Sequence, residues 1–473
     1  MKKFIYLLLM MISLVNLAVA EPTSSKPVIL QVTETTIVVD GRPSQVFSVK
    51  QPDGTFGYIG TKGQDFNVIV QNKTHVPLVL HWHGLIDPND QDGVPYVTQL
   101  PIPPGGNYHY HFELKQAGTY WLHSHYKFQE QKLMAAPLII HDPQEKREPE
   151  AVMFVQDFTF KNPKVIFEDL RKKTMKSARM AMKMQMNKPD VNDVKFDAYL
   201  VNHRTLQHPD IIRVKGEETL RLRVIDASAS SNYYIDLGKL KGELFAVDGT
   251  PIKPIEGSRF QMAIGNRLDI RIKIPAGEGA YPILALPEGT KQQTGMILAT
   301  PHAKIPVLSE KTTQTNPILN YDQEFKTSAA EPMPEQSIGQ SFPYILRGNM
   351  ATYIWTINGR AWPNIDPTMV KPNERTELIF DNRTNMAHPM HIHGHVFEVT
   401  EINGKKINGR KGDTIDVLPH STVKVVLDTD NPGIWMLHCH ILYHQAGGMM
   451  TTVNYDGYPN KFTEQQRAMG DRM

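Results

Sequence analysis

An all-β chain of three sandwich domains is what this sequence predicts, and three observations predict it. Short runs such as "FNVIVQN", "NYHYHFEL", "TLRLRVIDA", "LDIRIKI", "TELIFDN" and "TVKVVLD" alternate apolar and polar residues, the period-two pattern of strands with one buried face. Gly, Pro and Asn turns separate these runs at the spacing of sandwich strands. The 473 residues, less an N-terminal leader, amount to roughly three domains at about 150 residues each.

The leader comes first. "MKKFIYLLLMMISLVNLAVA" sets Lys2 and Lys3 before an apolar run and ends in Ala18-Val19-Ala20, the small-x-small pattern of a signal-peptidase site. Residues 1–20 are expected to be cleaved, so that the exported chain starts at Glu21; a retained anchor is the alternative, for which the run is short. No later stretch is long and apolar enough to span a membrane, so no stable insertion is expected. Loss of Lys2 and Lys3 takes the 51 basic residues to 49, against 49 acidic ones. That balance gives no reason to expect nucleic acid or an anionic membrane surface as partner.

The first domain follows over 21–145, closed by the polar connector "HDPQEKREPE". A second domain is expected over 146–305, with a methionine-rich insert at 175–186. A linker over 306–340 leads to the third domain, 341–473.

An internal repeat ties the outer domains together. "HWHG" starts at His81, Pro104 precedes a strand, and "GTYWLHSH" ends at His125; "HIHG" starts at His391, Pro419 precedes a strand, and "GIWMLHCH" ends at His440. Nineteen residues separate Pro104 from His123 and Pro419 from His438, and the repeat matches Ser124 with Cys439. The middle domain has a similar strand, "GAYPILALPEG", without histidines. Because residues i and i+2 share one face of a strand, each His-x-His offers two imidazoles side by side. Four such pairs, His81 with His83, His123 with His125, His391 with His393 and His438 with His440, suit a cluster of copper ions. "HYH" at 109–111 has the same spacing, but the repeat aligns His109 with Lys424 and His111 with Val426, and both are read as exposed strand residues.

Cys439 is the only cysteine, so it makes no internal disulfide. Lying between His438 and His440, its thiol faces the other side of the strand, toward His444, Met449 and His388. One cysteine, two histidines and a weak methionine ligand make a blue-copper electron-transfer site.

"HWHG" at 81, "HSH" at 123, "HPMHIHGH" at 388 and "HCHILYHQAGGM" at 438 together resemble the multicopper oxidases, and the three-domain layout extends the likeness over most of the chain. The resemblance implies cupredoxin-like Greek-key sandwiches and four coppers per chain. It implies a type 1 copper on His388, Cys439, His444 and Met449 and a type 2 copper on His81 and His391. The type 3 pair would then be held by His83, His123, His125, His393, His438 and His440. It further implies electrons passing through Cys439 to His438 and His440, and reduction of O2 to water. Asp92, nine residues after His83, matches the family's proton-relay acid; a turn aspartate before Gly93 is the plainer reading. Relatives that carry a carboxylate directly after the second type 1 histidine differ from this chain, which has Gln445. "DPNDQDGVPYVTQ", "GNMATYIWTINGR" and the methionine-rich insert resemble the bacterial copper-tolerance oxidases, implying a periplasmic enzyme. The "KK" of the leader, in place of twin arginines, points to the Sec route, with copper inserted after export.

The insert "MKSARMAMKMQM" carries Met175, Met180, Met182, Met184 and Met186, soft thioethers suited to copper(I). Lys176, Arg179 and Lys183 interrupt it, and its spacing does not make a helical core stripe. It is expected to gather substrate copper(I), with Met386 a further candidate. Cuprous oxidation is thus the leading expectation. A phenol-oxidising laccase, a ferroxidase, or a copper-binding protein without turnover are the alternatives.

Overall fold

The computed structural model describes residues 26–172, 190–463 and 466. The leader and the five methionines of 175–186 lie outside these residues. Met386, the sixth candidate, is buried two residues before His388.

The same pairing scheme opens each third of the chain. Val28–Val39 runs parallel to Asp65–Asn72, which pairs antiparallel with Asn107–Glu113. Glu150–Phe158, Thr219–Asp226 and Arg267–Lys273 repeat that order, as do Ile338–Asn349, Arg375–Asn382 and Thr422–Asp428. A parallel pair cannot be closed by a tight turn, so the chain between its strands crosses to a second sheet, which makes the sandwich. In the first domain that second sheet is ordered Tyr58–Thr61, Ala135–His141, Gly118–His123, His81–His83. In the third it is Thr368–Val370, Met450–Tyr455, Ile434–Cys439, His388–Ile392, Thr414–Val417.

Alternation in the sequence becomes burial between the sheets. Phe66, Val68 and Val70 of one strand pack with Leu30, Trp82, Leu122 and Leu138 in the first core. The domains also share apolar seams. Trp121, Ala135 and Ile139 pack on Phe154, Ile225 and Ala227 of the second domain, and Val94 and Val97 pack on Ile434, Met436 and Met450 of the third. One continuous core runs from Met153 of the second domain to Cys439 of the third. Burial of this kind contributes about 25 cal/mol per Å² of apolar surface.

Short helices interrupt the β architecture, and two of them lie next to the strands that matter below. Pro163–Lys172 starts with proline at its first position, the Asn162 side chain accepting from the Lys164 amide. Its Phe167 reaches Phe128 of the first domain at 5.5 Å and Tyr353 of the third at 6.1 Å between ring centres. Leu442–Ala446 follows the Cys439 strand directly. Among the described residues no helix is long and apolar enough to cross a membrane.

Candidate metal centre

The His-x-His pairs meet because the sheets bring them together and the domain seams then oppose the sheets. His81 pairs with His123 across the first domain, and His391 with His438 across the third. His81 stacks on His393 at 3.8 Å and His83 on His391 at 3.8 Å, each pair spanning the two domains. Seven of the eight imidazoles are buried, and His125 is half-buried. His109 and His111 stand apart, on an exposed strand, against Asn67 and Asp65.

The far nitrogen of nearly every ring is fixed. His81 Nδ1 donates to the Asp92 carbonyl at 2.8 Å, and His391 Nδ1 to the Asp413 carbonyl at 2.9 Å. His393 Nδ1 lies 3.1 Å from both Asp92 oxygens, and His83 Nε2 lies 3.0 Å from Asp413 Oδ1. His123 Nδ1 is 2.7 Å from Glu130 Oε2, His438 Nδ1 is 3.0 Å from the Cys439 carbonyl, and the Gln445 amide is 3.3 Å from His125 Nδ1. The inward nitrogens are left bare: His81 Nε2, His83 Nδ1, His123 Nε2, His391 Nε2 and His440 Nε2 are buried without a partner.

Whether this cage suits metal is decided at His438. Its Nε2 sits 3.0 Å from His393 Nε2 and 3.3 Å from His125 Nε2. His393 and His438 already spend their ring proton at Nδ1, so two lone pairs face each other. Such an arrangement is repulsive unless a cation lies between them. Burial holds the rings neutral: it pushes His438 down to about 3, with His391 adding to the effect, and depresses His125, His393 and His440 well below the ordinary imidazole range.

The opposite face of the same strand carries a second cluster. Cys439 Sγ lies 3.6 Å from His388 Nδ1 and 3.7 Å from His444 Nδ1, and those nitrogens are 3.2 Å apart. The far nitrogens are again held, His388 Nε2 by Thr384 Oγ1 at 2.8 Å and His444 Nε2 by Asp193 Oδ2 at 3.4 Å. Thr384 spends its proton on Asn382 Oδ1, so it accepts from His388 and leaves Nδ1 bare. Met449 is buried beside them, its carbonyl accepting from the Cys439 amide at 3.1 Å. Burial pushes the thiol pKa up, so the free thiol stays protonated until a metal displaces the proton. A thiolate and two imidazoles fit copper, and so does the histidine cage.

Three segments, 31–145, 150–304 and 339–457, match sequence profiles described as multicopper oxidase. The chain belongs to the multicopper oxidase family. It is 30% identical over 408 residues to the multicopper oxidase MmcO of Mycobacterium tuberculosis, covering 84% of this chain and 80% of that one. It is 24% identical to copper resistance protein A of Escherichia coli, over 84% of this chain and 87% of that one. Among solved structures, the Botrytis aclada laccase superposes with a TM-score of 0.77 at 21% identity, covering 94% and 90% of the two chains. Fet3p, a multicopper oxidase that functions in iron import, gives 0.76 at 17%, covering 94% and 92%. These likenesses bear out the cupredoxin-like all-β fold. Multicopper oxidases are copper-dependent oxidoreductases that use O2 and a reducing substrate.

Sequence reasoning missed Asp413, Glu130, Asp193 and Thr384. Glu130 is buried, and burial, with Asp157 and Asp226 nearby, raises its carboxyl well above the usual range. Asp413 behaves oppositely: burial alone would raise it, but the Arg267 guanidinium and hydrogen bonds from His391 and His83 hold it well below. The repeat also runs further than its histidines. Leu78, Ser124, Gln129 and Met134 occupy the positions of His388, Cys439, His444 and Met449. The Ser124 amide donates to the Met134 carbonyl at 2.9 Å and the Met134 amide to Gln129 at 3.1 Å, as Cys439 does to Met449 and Met449 to His444. Ser124 Oγ donates to Gln129 Oε1 at 2.6 Å where the third domain sets a thiol beside an imidazole.

Proposed function

We propose that the protein is a periplasmic cuprous oxidase that lowers copper(I) by coupling its oxidation to the reduction of O2: four Cu(I), O2 and four protons give four Cu(II) and two waters. Four coppers held by the ligands named from the sequence would supply the one-electron and dioxygen chemistry. His388, Cys439, His444 and Met449 would hold one, and the eight paired histidines the others.

The observation that carries copper(I) as the substrate is where the flanks of the methionine-rich stretch lie. The helix before it packs through Phe167 on Tyr353, and the Tyr353 hydroxyl donates to Asp193 Oδ2 at 2.8 Å. Asp193, seven residues beyond Met186, is also the carboxylate on His444 Nε2. The described residues on either side of the soft-ligand segment, Phe167 and Asp193, therefore both reach the surroundings of the thiolate site. A phenol would have to reach an imidazole edge, whereas the His444 side chain is 0% exposed and Asp193 5%. A small ion passed to the Asp193 carboxylate needs no such edge.

The chain's own residues then divide the work. Asp193 orients His444 and gives substrate a negatively charged approach. Cys439 joins the two clusters, its backbone continuous with His438 and His440. Asp92, in contact with both His81 and His393, is the group that holds and passes protons at its carboxylate oxygens. Gln445 offers no acid on the His125 side.

Oxygen consumption by the copper-loaded protein, offered copper(I) or a phenol, with and without residues 175–186, tests the reading. Copper(I) turnover that drops about tenfold or more on deletion supports it. Faster phenol turnover, with copper(I) oxidation unaffected by the deletion, replaces it with a laccase.

A further inference from the structure

His83 is the odd ligand of the cage. The outward contacts of His81, His391, His393 and His438 are made by Nδ1, which leaves Nε2 to face inward. His83 is turned round: Nε2 faces out to Asp413, at 3.0 Å, and Thr414 Oγ1, at 3.3 Å, while Nδ1 is buried and bare. An imidazole carries one proton when neutral, so whichever group accepts from Nε2 decides that Nδ1 is the free donor atom.

Asp413 is the counterpart of Asp92 in the repeat's geometry. Each gives its carbonyl to the first histidine of its own domain's His-x-His and its carboxylate to the second histidine of the other domain's. They differ in what holds them. Asp413 receives both arms of Arg267, Nη1 on Oδ1 at 2.8 Å and Nη2 on Oδ2 at 2.5 Å, and Arg267 is 0% exposed. Asp92 contacts His81 and His393.

Arg267 belongs to the middle domain, which has no paired histidines. Its Nε donates to the Thr119 carbonyl of the first domain at 3.1 Å, and Nη1 to its own domain's Gly265 carbonyl at 2.9 Å. Space has been left for this fork. A Cβ on Gly84, the glycine of "HWHG" at φ +88°, would lie 2.5 Å from Arg267 Nη2 and 2.7 Å from Asp413 Oδ2. One on Gly265 would lie 3.1 Å from His83 Cε1 and 3.3 Å from His440 Cδ2.

We propose that Arg267 and Asp413 are positioning residues that fix His83 with its proton on Nε2 and its Nδ1 toward the metal, so that the middle domain supplies the third wall of the cage. This rests on the histidine cage binding copper, not on copper(I) being the substrate. A planar two-armed guanidinium sets the carboxylate plane in a way that a lysine ammonium does not. The ion pair is therefore a geometric device as well as a domain contact.

Asp413→Asn and Arg267→Lys are the variants, and Asp248→Asn is the control. Asp248 pairs with Arg410 at 2.9 Å and lies 3.6 Å from Arg267 Nη1, in the same buried network, and its carboxylate accepts from Arg410, Asn266 and the Arg267 amide. The expected result is that Asp413→Asn and Arg267→Lys keep the visible band of thiolate-bound copper. They lose at least one copper per chain together with the near-ultraviolet absorption of the coupled pair, and Asp248→Asn loses neither. Wild-type copper content and spectra in both variants overturn the proposal, as does equal copper loss in Asp248→Asn, which would make the network merely structural. Imidazole nitrogen-15 shifts of the metal-free wild-type chain decide the matter without any variant: a proton on His83 Nε2 is expected, and a proton on Nδ1 overturns the proposal. If the visible band and cage copper are absent even from the loaded wild type, it is the copper reading that fails.

Discussion

At Cys439 the two faces of one strand are put to different uses, and this is the feature most legible in the sequence. A cysteine flanked by two histidines at i−1 and i+1 must send its thiol away from them. The structure sends it to His388 and His444, while the flanking rings go to the cage. Replacing Cys439 with Ser is expected to abolish the visible copper band and reduce oxygen consumption to background, while the histidine cage still binds copper; absorption and metal analysis check this. Asp92→Asn is expected to lower oxygen consumption roughly 10²-fold or more while substrate still bleaches the visible band, as loss of a proton-handling group does. Asp413, Glu130 and Asp193 were beyond sequence reasoning for a plain reason. Each is a single carboxylate on a loop or short helix, with no spacing that marks it, and Asp413 and Asp193 meet their histidines from 330 and 251 residues away.

Among the elements, turns matter as much as strands. The turn after Arg375–Asn382 is built on Asn382, whose amide donates to the carbonyls of Met386, Val417 and Leu418, and on Thr384, whose hydroxyl donates back to Asn382. Asn72 and Thr74 build the same turn in the first domain. In the third domain it also orients His388. Thr384→Val leaves His388 Nε2 and Asn382 Oδ1 buried without that partner, at a cost of about 1–3 kcal/mol. Thermal unfolding should show the loss in the metal-free chain, and the visible band should shift in the loaded one. The alternating runs predicted the strands well, since period-two burial is written locally. The helix Pro163–Lys172 was missed, although Asn162-Pro163 is a start signal, because a short helix in a mostly β chain has no repeat to reinforce it.

For the whole molecule, the candidate metal centre is made of domain seams, so its proposed metal binding would be linked to folding. The cage rings are held neutral in the fold, His438 down to about 3 from an ordinary 6.5. A depressed pKa means that the unfolded chain takes up protons first. Stability from these groups is therefore complete above about 6.5 and is lost as pH falls from there toward 3. Chemical denaturation of the metal-free protein between pH 7 and pH 4 should show a falling midpoint; a flat profile would mean that the cage opens before the domains part. Copper should oppose the fall by binding the folded chain alone.

The matched quartet Leu78, Ser124, Gln129 and Met134 means that the scaffold of the thiolate cluster is present twice in this chain. The first domain keeps the backbone bonds of the Cys439 cluster and its methionine, with leucine and glutamine in place of the two histidines and serine in place of the cysteine. Three side chains separate the two copies: Leu78→His, Ser124→Cys and Gln129→His together should create a visible copper band in a Cys439→Ser background, which would show that the backbone alone already holds the shape of an electron port.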